Sequence, residues 1–120
     1  MNMPSPEQVM QMMQERFGEI PEAIQKAYEV DPALVVEQAA SSRLSVMSDK
    51  NALDPKTTAL VFLAAALAMG NEECIEVNSS GLKKMGASDE EILSVVRIVR
   101  HAAASGVVGN AKVLFDTLAP

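Results

Sequence analysis

The sequence predicts one compact all-α domain of about six helices. At 120 residues the chain fits a single domain, residues 1–120, with enough length to bury a core. Hydrophobic residues make up 48% of it but aromatic residues only 3%, a balance that favours packed helices over aromatic-rich strands. Apolar residues recur at three- and four-residue steps, and no strand-length alternation is present.

Three helices are predicted in the amino-terminal part. Ser5 and Gln8 form the capping-box pattern around Pro6, so the first helix begins there, and Gly18 interrupts it. A short second helix follows. Asp31, placed before a proline, then caps a third helix that we expect to end within residues 48–51.

The next two predicted helices follow Asp54. Its position before a proline marks another helix start, and the helix that follows carries Leu60–Met69, a segment that is apolar around its whole circumference. Such a helix is expected to be central and buried. Gly70 ends it, and the segment Glu72–Lys84 forms the next helix, which Gly86 terminates in a left-handed conformation.

The carboxyl-terminal part predicts two more helices. Ser88 and Glu91 form a second capping box, and Gly106 is predicted to end the helix that they open. The segment 107–118 forms the last helix. Residues 102–106 are small and let helix backbones approach closely, within the domain or between subunits, so we expect a homo-oligomer.

Charge and composition limit the partners. The formal net charge of −6 disfavours nucleic acid. The start of the chain shows no secretory signal, so the cytoplasm is the expected compartment. The longest uncharged stretch, Thr57–Asn71, is shorter than the roughly 20 residues that a membrane-spanning helix needs, so no membrane partner is expected. The lone Cys74 cannot form an internal disulfide.

From Leu53 onward the order of motifs resembles the carboxymuconolactone decarboxylase and alkylhydroperoxidase D (AhpD-like) family. The resemblance rests on Leu-Asp-Pro-Lys-Thr before the Ala/Leu-rich helix and on Gly-Asn-Glu-Glu-Cys-Ile at residues 70–75. It continues through Gly-Ala-Ser-Asp-Glu-Glu-Ile at 86–92 and His-Ala-Ala-Ala-Ser-Gly at 101–106. The resemblance implies an AhpD-like helical domain with its family core at about 44–118, assembled as a trimer or hexamer.

The resemblance also implies a site around Cys74. Peroxidase members carry Cys-x-x-Cys, a His four residues beyond the second Cys, and a Glu in the preceding helix. When Cys74 takes the place of the second cysteine, Asn71 stands at the first, Asn78 at the histidine and Ala59 at the glutamate. A two-cysteine disulfide cycle is therefore excluded, and the usual proton relay is missing.

A one-cysteine peroxidase or thiol–disulfide activity of peroxiredoxin type, with an antioxidant role, is the first functional hypothesis. Cys74 lies near a helix start, where unpaired amides favour a thiolate, whereas the neighbouring Glu72, Glu73 and Glu76 favour the neutral thiol. Its sulfenic acid would need an external thiol reductant. Asn71 and Asn78 are candidate binding residues. Alternatively, Cys74 is a small buried hydrophobe.

Two other hypotheses use different residues or none. Arg97, Arg100 and His101 lie on one predicted helix and can bind a small carboxylated lactone, with His101 as the acid or base of a lyase. They can equally form a solvated or interface cluster. The third hypothesis is a non-catalytic oligomeric protein. One Cys and one His are too few soft ligands for a metal site, and no cofactor is expected.

Overall fold

The computed structural model describes residues 3–120 and is helical throughout, with no strand among these residues. The helices are α1 (Pro6–Phe17), α2 (Glu22–Val30), α3 (Pro32–Leu44), α4 (Pro55–Met69), α5 (Glu72–Lys84), α6 (Asp89–Asn110) and α7 (Lys112–Leu118). The all-α prediction is confirmed. The described residues form seven helices, which agrees with the seven segments predicted one by one above and is one more than the overall number of about six.

The chain forms two compact units, Met1–Asn51, described from Met3, and Ala52–Pro120. In the first unit α1 and α2 each pack on α3. Val9 of α1 and Val35 of α3 are buried there. The prediction of a single domain over residues 1–120 stays a prediction.

The second unit holds the larger apolar core. Helix α4 packs on α5 and α6, and α7 contacts α6. The buried members of the core come from α4, α5, α6 and the turn before α6: Ala59, Leu63, Leu82, Ala87 and Val95. Leu82 of α5 is fully buried, and it packs in the core between residues of α4 and α6.

The helix starts lie where the sequence places them. Ser5 accepts a hydrogen bond from the Gln8 amide, and Ser88 accepts one from the Glu91 amide, each within a complete capping box. Asp31 caps α3 and Asp54 caps α4 through their side chains. Side-chain caps satisfy amide groups that have no partner inside the helix, which makes these starts local properties of the sequence.

Two predicted helix ends are wrong. Helix α3 ends at Leu44, before residues 48–51, because the chain turns at Ser45 and the side-chain Nδ2 of Asn51 donates to the carbonyl oxygens of Ser45 and Val46. Helix α6 continues past Gly106 to Asn110. A glycine ends a helix when it adopts positive φ, and Gly106 does not, whereas Gly86 after α5 does.

The expectation of a central helix is confirmed within the second unit, because α4 packs on both α5 and α6, although part of its surface is exposed. Leu63 and Ala66 face the core, but Val61 is 54% exposed and Met69 is 81% exposed. The composition of α4 correctly indicates a core helix, yet only one of its faces meets other helices of the second unit.

One helix in residues 3–120, α6, is long and apolar enough to cross a membrane by length and composition alone. This is weak evidence, because packed helices of soluble proteins pass the same test. The exclusion of a membrane partner and the cytoplasmic location stay predictions.

Candidate functional site

The candidate thiol lies where α5 begins. Helix α4 ends at Gly70, whose left-handed conformation turns the chain, and the Asn71 amide bonds the Ala66 carbonyl at 2.9 Å. Asn71 then caps α5, and Cys74 is the third residue of that helix. The sharp turn between the two helices therefore positions the sulfur at the amino-terminal end of α5.

Asn71 and Asn78 both contact the backbone of Cys74. Asn71 Oδ1 accepts from the Cys74 amide at 3.2 Å, and Asn78 Nδ2 donates to the Cys74 carbonyl at 2.8 Å. The side chains of Asn71 and Asn78 thus bond the backbone of Cys74 from the helix start before it and from the helical turn after it. The Asn78 contact leaves its side-chain oxygen available for another donor.

The surroundings of Cys74 are apolar on one side and acidic on the other. The Cys74 side chain is half-buried, and the next residue, Ile75, packs against the core of the second unit. Glu72, Glu73 and Glu76 are exposed to solvent. Solvent and salt therefore screen these three carboxylates.

Ala59, which stands where peroxidase members of the family carry a glutamate, lies in the core of the second unit and is 8% exposed. Its neighbours there include Leu63 and Leu82. Alanine suits this apolar position, where an ionised carboxylate would lose its hydration. A base for the thiol is thus missing at this position.

The cationic residues of α6 are exposed and engaged locally. Arg97 Nη1 lies 3.4 Å from Glu90 Oε2, and His101 Nε2 lies 3.3 Å from Ser105 Oγ. Arg100 is exposed. Glu90 and Ser105 were not predicted as partners, although Glu90 lies seven residues before Arg97 and Ser105 four residues after His101, each on the same helical face as its partner.

A second overlooked pair joins two helix starts of the second unit. Lys56 Nζ in the first turn of α4 lies 3.0 Å from Glu91 Oε2 in the first turn of α6. The pKa of Glu91 is lowered, first by the backbone amide of Ser88 and then by Lys56. The pKa of Asp54 is lowered chiefly by the Thr57 amide that it caps.

Metal-ligating side chains do not gather in this structure. Within residues 3–120 no three His, Cys, Asp or Glu side chains lie together as a metal site requires. The chemistry available at the start of α5 is therefore that of a thiol with two neighbouring carboxamides.

The fold is that of a helical alkylhydroperoxidase core. The chain superposes on the crystal structure of the alkylhydroperoxidase AhpD core from Rhodospirillum rubrum with a TM-score of 0.73 and 21% sequence identity. The match covers 89% of this chain and 79% of that chain. At this identity the likeness establishes the fold.

The sequence profile of the carboxymuconolactone decarboxylase family matches residues 34–114. The chain belongs to the carboxymuconolactone decarboxylase family, as the motifs from Leu53 onward predict. The match begins in α3, before the expected family core of about 44–118. No curated protein matches the sequence.

Proposed function

We propose that the chain is a one-cysteine thiol peroxidase that reduces a small peroxide at Cys74 Sγ. The observation that carries the proposal is the placement of this half-buried thiol as the third residue of α5, directly after the Asn71 cap. The sulfur of such a thiol is the nucleophile that attacks peroxides.

The reaction needs one cysteine and an external thiol. The Cys74 thiolate attacks one peroxide oxygen, the O–O bond breaks, and the leaving alkoxide takes a proton from water, so that a sulfenic acid and an alcohol result. A small thiol then displaces water from the sulfenic acid to form a mixed disulfide. A second small thiol releases Cys74 and leaves as a disulfide, which restores the reduced enzyme.

The two carboxamides support substrate placement. Asn71 and Asn78 bond the backbone of Cys74 through its amide and its carbonyl. The side-chain oxygen of Asn78 is available to accept a hydrogen bond from hydroperoxide or water. Neither side chain acts as a base.

Peroxide consumption with dithiothreitol as the reductant tests the proposal. The wild-type chain is expected to consume hydrogen peroxide catalytically, and Cys74→Ser is expected to reduce this to the uncatalysed rate. Ser80→Ala, an exposed position on the same helix, is the matched control and should keep wild-type turnover. Equal rates for the wild type and Cys74→Ser would contradict a role for the thiol.

The lyase alternative uses Arg97, Arg100 and His101 on a small carboxylated lactone. We rank it second, because Arg97 contacts Glu90 and His101 contacts Ser105. It has a separate test: loss of lactone decarboxylation in His101→Ala, with retention in Cys74→Ser, would favour the lyase.

We also propose that the chain self-associates through α7 and the carboxyl-terminal part of α6, as a trimer or a hexamer. Val107 is 70% exposed, Val108 63% and Leu118 80%. Burial of such apolar side chains releases about 25 cal/mol for each Å² removed from water, which favours contact with another copy. This surface is also the one observation that favours the third alternative, a non-catalytic assembly protein.

A further inference from the structure

The first unit contains an apolar groove that the thiol chemistry does not use. It lies between α1 and α3, and its volume of about 520 Å³ is within the range of small-molecule sites. Val9 borders it and is 2% exposed. The groove is thus a concave site within one unit, lined by side chains of α1, α3 and the segments that flank them.

Four methionines contribute to the lining of this α1–α3 groove. Met3, Met12, Met13 and Met47 all border it, together with the ring of Phe17. Methionine side chains are unbranched and flexible, so they adapt to apolar groups of irregular or extended shape. Such a lining suits a flexible aliphatic chain, because the four thioether side chains can adapt to its shape.

Two arginines give the groove a cationic end. Arg16 and Arg43 lie in the last turns of α1 and α3, and both border the groove. Arg16 Nη1 lies 2.7 Å from the sulfur of Met47, a residue just beyond the carboxyl-terminal end of α3. Because Arg43 lies in the last turn of α3, both arginines are at the same end of the groove. The one carboxylate that borders the groove is Glu15.

The guanidinium groups retain hydrogen-bonding capacity. Among residues 3–120 neither Arg16 nor Arg43 forms an ion pair. The contacts of Arg16 are the Met47 thioether, a weak acceptor, and the face of the Phe17 ring at 5.2 Å. Guanidinium groups prefer a carboxylate, which accepts two parallel hydrogen bonds.

We propose that the α1–α3 groove binds an aliphatic monocarboxylate. The alkyl chain lies along the methionine lining, and the carboxylate contacts Arg16 and Arg43 at the cationic end. The proposal follows from the match between the positive charge of the two arginines and the negative charge of the carboxylate. It is independent of the reactivity of Cys74.

Decanoate, kept below its micellar concentration, is the probe. The chain is labelled with ¹³C at the methionine methyl groups, and the signals are assigned with single Met→Leu variants. We expect a saturable shift of the Met12, Met13 and Met47 methyl signals, while Met69 and Met85 of the second unit stay unchanged. Shifts at Met69 and Met85 of equal size would overturn the proposal.

The head group and the arginines are tested separately. Decanol, which lacks the charge, should bind the unmodified chain about tenfold more weakly than decanoate, and Arg16→Gln and Arg43→Gln should each weaken decanoate binding by a similar factor. Lys26→Gln, an exposed cation of the same unit outside the groove, should bind decanoate like the wild type.

Two further results would overturn the proposal. Equal affinity for decanol and decanoate would mean that the arginines do not recognise the head group. A change of the groove methionine signals with protein concentration alone, and no response to decanoate, would mean that a second copy of the chain occupies the groove.

Discussion

At the scale of single residues, the resemblance identified the positions around the thiol but could not predict their contacts. It placed Asn71, Cys74 and Asn78 in correspondence with functional positions of the family. The structure adds that Asn78 donates to the backbone carbonyl of Cys74, at 2.8 Å. An alignment shows which residue type stands at position 78. Whether the Asn78 side chain bonds the sulfur or the carbonyl of Cys74 depends on its rotamer, which the sequence does not specify.

The substitution Asn71→Cys tests how the turn between α4 and α5 orients residue 71 toward the thiol. It provides a second sulfur three residues before Cys74, where Asn71 Oδ1 already reaches the Cys74 amide. After one equivalent of peroxide, we expect an intramolecular disulfide, seen by mass spectrometry as the loss of both thiol hydrogens. The wild type should instead give a sulfenic acid that an external thiol traps.

The control for this experiment removes the attacking sulfur. In the double variant Asn71→Cys/Cys74→Ser the disulfide cannot form, and the mass should match the reduced chain. If the single variant also stays fully reduced or forms only intermolecular disulfides, the two positions are not arranged for exchange.

At the scale of helices, starts were predictable and ends were less so. Ser5, Asp31, Asp54 and Ser88 cap their helices as predicted, because a cap depends on a few neighbouring residues. Gly106 failed as an end signal because glycine in a helix interior costs only about 1 kcal/mol, which the continued hydrogen bonding of α6 offsets.

A glycine within α5 and a glycine just after it are predicted to respond oppositely to alanine. Gly81 has a helical conformation with open space around its missing Cβ, so Gly81→Ala should stabilise the chain by about 0.5–1 kcal/mol. Gly86 has a φ of 83°, so Gly86→Ala should destabilise it by about 1–2 kcal/mol. Urea unfolding measures both, and the same sign for both would contradict the assigned end of α5.

The capping box of α6 predicts a dependence of stability on pH. The pKa of Glu91 lies below its ordinary value of 4.5 because the Ser88 amide and Lys56 favour its charged form. A carboxylate with a lowered folded-state pKa stabilises the fold above the unfolded-state pKa and loses this contribution as pH falls through the folded-state value.

Glu91→Gln keeps an acceptor for the Ser88 amide but removes the charge. We therefore expect Glu91→Gln to be less stable than the wild type near neutral pH and the difference to shrink below pH 4.5. Thermal unfolding from neutral to acidic pH measures the difference. Glu76→Gln, an exposed carboxylate of α5, serves as the control, and an identical pH profile for Glu91→Gln and this control would contradict the role of the capping box.

At the scale of the whole molecule, composition predicted the all-helical class but not how far each helix is buried. Leu60–Met69 is apolar on every side, yet Val61 and Met69 are exposed. Periodicity identifies which residues avoid water, whereas it cannot distinguish packing inside a chain from packing between chains. The same ambiguity applies to the apolar side chains of α6 and α7.

A single charge tests the proposed self-association surface. Val107→Glu, at a side chain that is 70% exposed, should shift the wild-type oligomer toward monomer in sedimentation velocity without loss of helix content. A charge buried in an interface without a partner is costly. Val30→Glu, at an 83% exposed valine of the first unit, is the matched control and should leave the oligomer unchanged. A monomeric wild type would contradict self-association.

The most direct measurement of the central claim is chemical trapping of the oxidised sulfur. The chain is treated with hydrogen peroxide in the presence of dimedone, which captures sulfenic acids, and the product is located by peptide mass spectrometry. We expect one dimedone adduct, on Cys74, which is absent from Cys74→Ser. A chain that forms no adduct, while its thiol remains free and alkylatable, would contradict the assignment of Cys74 as the reactive group.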